Sequence, residues 1–179
     1  MIYFTGVGSR ATPGAVCEKM TALGPILERL GYHLRTGDAV GADAAFAAGF
    51  SPERVSCFGV SLRPKPGVIC PKLVLSPDSY RKMENLARSL HPAWGRCGAL
   101  ARELHTRNMA QVLGLNLDKP SRFLLCWTPD GAESVSKPTS RATGGTGQAI
   151  RCALLHDIPV INMQNAGWNN RLLGLLRSS

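Results

Sequence analysis

Two glycine-rich segments of the sequence have the residue types of anion-binding loops. The first, Gly6-Val7-Gly8-Ser9-Arg10, follows a short apolar run, and the second, Gly144-Gly145-Thr146-Gly147-Gln148, leads into an apolar helical stretch. Glycines let successive backbone N–H groups point at one anion, and a helix N-terminus adds partial positive charge. The side chains of Ser9 and Arg10 would add further donors. We predict a phosphate at both segments, with a tight turn and a plain loop end as the respective alternatives.

Two carboxylates occupy a third segment, Thr36-Gly37-Asp38-Ala39-Val40-Gly41-Ala42-Asp43, which follows a predicted strand. Asp38 and Asp43 have the chemistry of ribose-hydroxyl acceptors or of general bases. A turn role for Asp38 and a helix N-cap role for Asp43 explain the same residue types, because short acidic side chains bond nearby backbone N–H groups. Both interpretations stay open on the sequence alone.

Arg107 and Asn108 lie within a predicted helix, and Arg107 lies at the edge of the apolar face of that helix. Leu100, Leu104 and Leu115 form the face at helical spacing. An unpaired guanidinium is costly to desolvate, and a phosphate or ribose at the sheet edge would remove that cost through a two-pronged hydrogen bond. We therefore predict that Arg107 contacts a ligand, with a solvated helix arginine as the alternative.

The sequence shows no pattern of a metal centre or of a nucleophilic catalytic site. The four histidines, His33, His91, His105 and His156, show no paired spacing, and no two of the six cysteines form a Cys-x-x-Cys motif. We therefore predict no metal ligand, no cofactor and no catalytic residue. We expect the cysteines to be reduced and to serve as small hydrophobic residues.

Apolar runs and helical stripes alternate along the chain, which predicts an α/β fold. The predicted strands are residues 2–5, 32–36, 55–60, 121–128 and 158–161. The predicted helices are residues 13–30, 43–48, 80–90, 100–115, 148–156 and 168–176. The segment 61–77 contains four prolines and is predicted to be a long irregular connection, and the polar segment 129–141, which contains proline and glycine, is predicted to be a mobile loop.

These elements predict a Rossmann-like three-layer fold with a mainly parallel sheet, in one domain over residues 1–179. Right-handed crossovers place the loops that follow the strands on one side of the sheet, and ligands of such sheets bind there. The segments 6–10, 36–43, 127–129 and 144–147 are therefore expected to converge at the carboxyl edge of the sheet.

The charge of the chain favours an anionic partner. The net charge is +9, and residues 54–122 contain twelve Lys or Arg residues against four acids. Opposite charge steers a phosphate-bearing ligand toward a protein, although a basic surface without a partner has the same composition. No apolar run has the roughly 20 residues that span a bilayer, and the first ten residues lack the pattern of a secretory signal. We therefore expect a cytoplasmic protein that contacts no membrane.

The order of these motifs resembles the SLOG superfamily of Rossmann-like domains over residues 1–163. The matching segments are Gly8-Ser9-Arg10, the eight residues from Thr36 to Asp43, Arg107-Asn108 and the four residues from Gly144 to Gly147. The superfamily includes the DNA-processing protein A family, Lonely Guy type nucleotide hydrolases and stand-alone nucleotide-sensing domains. The resemblance implies that these segments and Gln148 bind a nucleotide-type ligand, and that the chain forms a homo-oligomer.

The resemblance to the Lonely Guy enzymes implies cleavage of an N-glycosidic bond only where the catalytic acid is present. Those enzymes use a glutamate just after a glycine motif like that of residues 144–147, together with an arginine that Arg107 matches. Arg151 occupies the place of the glutamate here, and Gln148 replaces a threonine. A cation at this place would oppose the charge of a ribosyl cation. Glu103, one turn before Arg107, is a poor substitute, because a surface salt bridge explains it better, and we expect no turnover.

The resemblance to the DNA-processing family implies single-stranded DNA as an alternative partner. That family has a pair like Arg107-Asn108 near its DNA-binding side. Base stacking needs exposed aromatic rings, and aromatic residues make up only 6% of the chain. The sequence therefore predicts a protein that senses or sequesters a nucleotide or nucleotide-derived ligand without turnover. The alternatives are a recombination mediator that binds single-stranded DNA and, less favoured, an N-glycosidic nucleotide hydrolase.

Overall fold

The described part of the chain forms one parallel sheet with helices on both faces. The computed structural model describes residues 1–59 and 77–177. The strands are β1 (Ile2–Gly8), β2 (Tyr32–Gly37), β3 (Val55–Phe58), β4 (Leu124–Trp127) and β5 (Val160–Asn162), in the spatial order β3-β2-β1-β4-β5. The helices are α1 (Gly14–Arg29), α2 (Ala42–Ala48), α3 (Pro77–Leu90), α4 (Ala99–Leu113), α5 (Thr146–Leu155) and α6 (Trp168–Arg177). All neighbouring strands pair in parallel. The predicted Rossmann-like three-layer fold is confirmed.

The sheet buries apolar side chains on both faces, and each face has its own group of helices. Along β4, Leu124 and Cys126 belong to one core, whereas Leu125 and Trp127 belong to the other. Helices α3, α4 and α5 complete the first core, and α1, α2 and α6 complete the second. A strand covered on both faces has a continuous apolar sequence, which explains why the residues of β4 show little alternation. No helix of the described residues is long and apolar enough to cross a membrane.

The carboxyl ends of the central strands lie at the same height. Gly8 of β1 pairs with Trp127 of β4, and Gly37 of β2 pairs with Phe58 of β3. The segments that follow these strands therefore start side by side at one edge of the sheet. This register is what allows residues from distant parts of the sequence to form a common site.

Some boundaries differ from the predicted ones. Helix α5 begins at Thr146 rather than at residue 148, so Thr146 and Gly147 belong to its first turn. Strand β4 is shorter than the predicted 121–128, because the N–H of Ser121 donates to the carbonyl of Val112 at the end of α4. The segment 129–141 contains no helix or strand, as predicted. The connection predicted at 61–77 lies outside the described residues up to residue 76.

The cysteines have two different states. Four of the described cysteines, Cys17, Cys97, Cys126 and Cys152, are free thiols. Cys126 and Cys152 are buried, and this burial raises the pKa of both thiols. They therefore serve as small hydrophobic residues, as predicted. Cys57 is disulfide-bonded, so the expectation that all cysteines are reduced is wrong at this position.

Candidate functional site

A cleft of about 970 Å³ opens at the carboxyl edge of the sheet, beside the ends of β1 and β2, helix α4 and the start of α5. Nine of the predicted site residues line it, namely Gly8, Ser9, Arg10, Asp38, Asp43, Arg107, Asn108, Gly145 and Thr146. Six others do not, namely Thr36, Gly37, Gly41, Gly144, Gly147 and Gln148. Three of the four segments expected at this edge thus meet, whereas residues 127–129 contribute nothing to the lining.

Arg107 forms the centre of the cleft floor. Its Nη1 donates to the carbonyl oxygen of Phe58 at 2.9 Å, and lies 3.6 Å from Asp38 Oδ1 and 4.0 Å from Asp43 Oδ2. Its side chain is 13% exposed. Burial lowers the pKa of Arg107, and the charges of the two acids oppose this effect. Arg107 is therefore neither a solvated helix arginine nor an unpaired one, because two acids of the same chain already meet its charge.

Asp43 is the buried partner of this arginine. Burial raises the pKa of Asp43 to about 6, although Arg107 and hydrogen bonds from the backbone of Ala39 and Gly8 act in the opposite direction. The N-cap of α2 is Gly41, and Asp43 lies in the first turn of the helix. The N-cap alternative for Asp43 is therefore wrong, and the carboxylate belongs to the floor of the cleft.

Gly37, at the end of β2, makes room for the pair formed by Arg107 and Asp43. A Cβ atom at this position would overlap the guanidinium of Arg107 and the carboxylate of Asp43. Thr36, the preceding residue, is fully buried beneath the cleft. These two residues of the second motif therefore position the site without lining it.

Gly41 holds the loop after β2 against the loop after β1. Its φ angle is +82°, in the left-handed region that favours glycine, and a Cβ atom would lie 2.6 Å from the carbonyl oxygen of Ser9. The same carbonyl accepts hydrogen bonds from the N–H and the Oγ1 of Thr12. Arg10, next in the chain, is exposed at the mouth of the cleft.

The turn before α5 presents two backbone donors to the cleft. The amides of Gly145 and Thr146 donate no hydrogen bond to any residue that the structure describes, and both residues line the cleft. Asn108 Nδ2 donates to the carbonyl oxygen of Gly145 at 3.1 Å, so α4 holds the turn in place. This geometry is that of a helix N-terminus open to an anion.

The remaining residues of this motif have structural roles. Gly147 is buried within the first turn of α5, where a Cβ atom would lie 3.3 Å from Thr143 Cγ2. Gln148 is fully buried and donates through Nε2 to the carbonyl oxygen of Ala87 at 2.7 Å. Gly144 is exposed, with a φ of +62°. Of the four residues of the predicted cradle, only Gly145 and Thr146 therefore line the cleft.

Neither of the two positions that the sequence suggested for the carboxylate of a hydrolase places one in the cleft. Arg151 is not part of the cleft lining, and its Nη1 donates to Thr139 Oγ1 and its Nη2 to Gln148 Oε1, both at 2.8 Å. Glu103 is exposed and lines a separate cavity beside α3. Among the residues that line the cleft, the acids are Asp38 and Asp43, and both lie beside Arg107.

Helix α4 forms one wall of the cleft, and only some of the residues of this wall were predicted from the sequence. Leu100, Leu104, His105 and Gln111 line the cleft together with the Arg107-Asn108 pair. Gln111 Nε2 and His105 Nδ1 are buried and have no hydrogen-bond partner among the described residues. Burial, and then the charges of nearby cations, lowers the pKa of His105 to about 4. The sequence could have indicated Gln111 as a cleft residue, because its helical spacing from Leu100, Leu104 and Arg107 places all four on one face of the helix.

Comparison of the chain with protein-family models, with curated proteins and with solved structures found no match.

Proposed function

We propose that the protein binds a nucleotide or nucleotide-derived ligand in this cleft and holds it without turnover. The observation that carries the proposal is the start of α5, where the amides of Gly145 and Thr146 donate no hydrogen bond to the described residues and belong to the cleft lining. Such amides attract an anion through their N–H groups and through the helix dipole. Ser9 and Arg10 line the same cleft and would add a hydroxyl and a guanidinium. The phosphate of the ligand is proposed to bind among these groups.

The other groups of the cleft match the rest of a nucleotide. The carboxylate of Asp38 supplies acceptors for ribose hydroxyls, and Gln111 Nε2 supplies a donor that the described residues leave unused. Leu100 and Leu104 form an apolar wall against which a base would lie. Arg107 is expected to hold the two acids in place rather than to bind the phosphate directly.

The surroundings of the two acids support retention rather than hydrolysis. Both carboxylates that line the cleft lie beside the guanidinium of Arg107. A carboxylate whose charge is already met by a cation is poorly suited to stabilise a ribosyl cation. We therefore infer a protein that senses or sequesters its ligand. In a chromatographic assay over hours, we expect no free base from AMP, and clear release of adenine would overturn this part of the proposal.

We extend the proposal to membership of the SLOG superfamily, to its homo-oligomeric state and to a cytoplasmic location. All four segments that carry the resemblance contribute residues to one cleft, namely Ser9, Asp38, Arg107 and Gly145 among others. This convergence supports a common ligand site of the kind that the resemblance implies. Light scattering coupled to size exclusion tests the oligomeric state, and a monomer at micromolar concentration would contradict it.

The central experiment identifies the ligand and then removes its anchor. Native mass spectrometry of the protein purified from cells weighs any retained molecule, and titration calorimetry with AMP measures affinity directly. A Cβ atom at Gly145 would meet open space, so Gly145→Leu should fold normally while its side chain covers the two amides. We expect affinity to fall by about tenfold or more, the scale of a lost charge-assisted hydrogen bond.

Gly174→Leu is the matched control, because a Cβ atom at Gly174 in α6 also meets open space and this residue is not part of the cleft lining. We expect this variant to bind like the wild type. Equal affinity in Gly145→Leu and Gly174→Leu would overturn the proposed phosphate position.

A further inference from the structure

Three side chains of the metal-ligand type meet beside the cleft, where the sequence showed no pairing. His91 follows α3, Cys97 follows a short 3-10 turn, and His105 lies on α4. One ring nitrogen of each histidine and the sulfur of Cys97 all lie within 4.8 Å of one another. Cys97 is a free thiol, and all three residues are partly buried. The connection between α3 and α4 therefore brings three potential ligands to one place.

The distances suit coordination of a small cation. Cys97 Sγ lies 3.7 Å from the ring nitrogens of His91, and the centroids of the His91 and His105 rings are 4.4 Å apart. A tetrahedral zinc ion with bonds of about 2.3 Å to sulfur and about 2.1 Å to nitrogen separates those two ligand atoms by about 3.6 Å. The cluster therefore needs only small side-chain rotations to surround an ion.

We propose that His91, Cys97 and His105 bind one divalent transition-metal ion, and that zinc is the ion that this ligand set favours. A thiolate and two imidazoles are soft and borderline donors, which bind zinc in preference to magnesium or calcium. Three protein ligands leave a fourth position for water or for a group of a bound ligand. His105 also lines the cleft, so the ion would lie at the rim of the proposed nucleotide site.

Two contacts of the cluster change when the ion binds. The N–H of Ala93 donates to His91 Nδ1 at 3.1 Å, and coordination by this nitrogen exchanges that hydrogen bond for the metal. His105 Nδ1, which is buried without a hydrogen-bond partner among the described residues, has no such bond to lose. The loss is thus confined to this hydrogen bond and to the one that the Cys97 thiol donates to the carbonyl oxygen of Ala93 at 3.6 Å, which ends when the thiol deprotonates to bind the metal.

The charges around the cluster set how tightly the ion binds. Arg151 interacts with both histidines, and Arg107 interacts with His105. These cations repel a metal ion, whereas the Cys97 thiolate attracts it. An anion in the neighbouring cleft would add further attraction. We therefore expect metal affinity to rise in the presence of a phosphate-bearing ligand, and this rise can be measured separately from binding of the metal alone.

Cobalt titration tests the site without reference to nucleotide binding. The protein is stripped of metal under reducing conditions and titrated with Co²⁺, whose visible bands report tetrahedral coordination and whose near-ultraviolet band reports a thiolate ligand. We expect one ion per chain with both signals in the wild type. Zn²⁺ should displace the cobalt and abolish both.

Variants separate these three ligands from other thiols and imidazoles. Cys97→Ser should lose the thiolate band, and His105→Gln should weaken cobalt binding by about tenfold or more. Cys17→Ser and His156→Gln are the controls, since Cys17 is a free, partly buried thiol and His156 is exposed, and both should bind like the wild type. A wild type that binds no cobalt, or a Cys97→Ser protein with an unchanged spectrum, would overturn the proposal. Nucleotide affinity of the metal-free protein is measured in parallel, so failure of either proposal is seen on its own.

Discussion

At the scale of single residues, Arg107 is the group on which the cleft depends most. Its guanidinium, on α4, contacts Asp38 in the loop after β2 and Asp43 in the first turn of α2. It also donates to the carbonyl oxygen of Phe58 at the end of β3. Gly37 leaves the space that these contacts need. The first role of Arg107 is therefore to compensate the charge of a buried acid, and any effect on ligand binding follows from that role.

Arg107→Ala is expected to destabilise the fold by about 3 kcal/mol, because it leaves Asp43 buried without its cation. Arg107→Lys should recover part of this loss, since an ammonium restores the charge without the planar fork. The double variant Arg107→Ala with Asp43→Asn should be more stable than Arg107→Ala alone, because the more deeply buried of the two acids no longer carries a charge. Urea unfolding of the four proteins measures these differences. An Arg107→Ala protein as stable as the wild type would show that the pair contributes nothing.

The raised pKa of Asp43 predicts a specific dependence of stability on pH. A carboxyl whose pKa is about 6 in the folded state and about 3.9 in the unfolded state favours folding most below the lower value. That contribution is lost as the pH rises through about 6. Relative to Asp43→Asn, which does not titrate, the wild type should therefore lose stability between about pH 4 and about pH 6. Parallel stability curves for the two proteins would contradict this prediction.

At the scale of elements, the irregular segment between β4 and α5 is organised around one carboxylate. Asp130 accepts hydrogen bonds from the hydroxyls of Thr128, Ser140 and Thr143. Burial acts to raise the pKa of Asp130, but these hydrogen bonds lower it to about 2. Thr143 also lines the cleft. The carboxylate of Asp130 therefore both orders this segment and holds Thr143 in the wall of the cleft.

Asp130→Ala is expected to loosen residues 129–142 while leaving the sheet intact. The lost hydrogen bonds lie in one segment, and β4 and α5 keep their own packing in the core. Trypsin should then cut after the exposed Arg141 faster than in the wild type, by about tenfold. Far-ultraviolet circular dichroism should stay unchanged. A cleavage rate equal to that of the wild type would show that other contacts order the segment.

At the scale of the whole molecule, the chain has a strong positive charge and leaves none of its aromatic rings largely exposed. The net charge is +9. All eleven aromatic residues lie in the described part of the chain, where eight are buried and Tyr3, Tyr80 and Trp168 are half-buried. Electrostatic attraction to nucleic acid is therefore available, whereas a platform of exposed rings for base stacking is not.

Binding to single-stranded DNA is therefore expected to be weak and to depend on salt. Contacts with phosphates alone weaken steeply as salt rises, so a mobility shift seen at about 50 mM salt should vanish at about 200 mM salt. Tryptophan fluorescence should not be quenched, because no ring stacks on a base. A shift that persists at the higher salt concentration, together with quenching, would instead favour the recombination-mediator alternative.

The sequence by itself determined the elements of this protein and the segments from which its cleft is built. Apolar periodicity and glycine breaks are local signals, and they predicted the alternation of strands and helices that the structure confirms. The handedness of crossovers then requires the segments after β1 and β2 and before α5 to share one edge. Seven predicted residues of these segments line the resulting cleft for this reason, and Arg107 and Asn108 of α4 join them.

Only the tertiary structure decided which side chains meet within this arrangement of strands and helices. Three sets of contacts join residues from different elements. They are the ion pair of Arg107 with Asp43, the hydrogen bond from Gln148 to the carbonyl oxygen of Ala87, and the cluster of His91, Cys97 and His105. Such contacts depend on how helices pack on the sheet and on which polar groups must be paired once they are buried. The spacing of residues along the sequence does not reveal these conditions, because they arise only when the whole chain has folded.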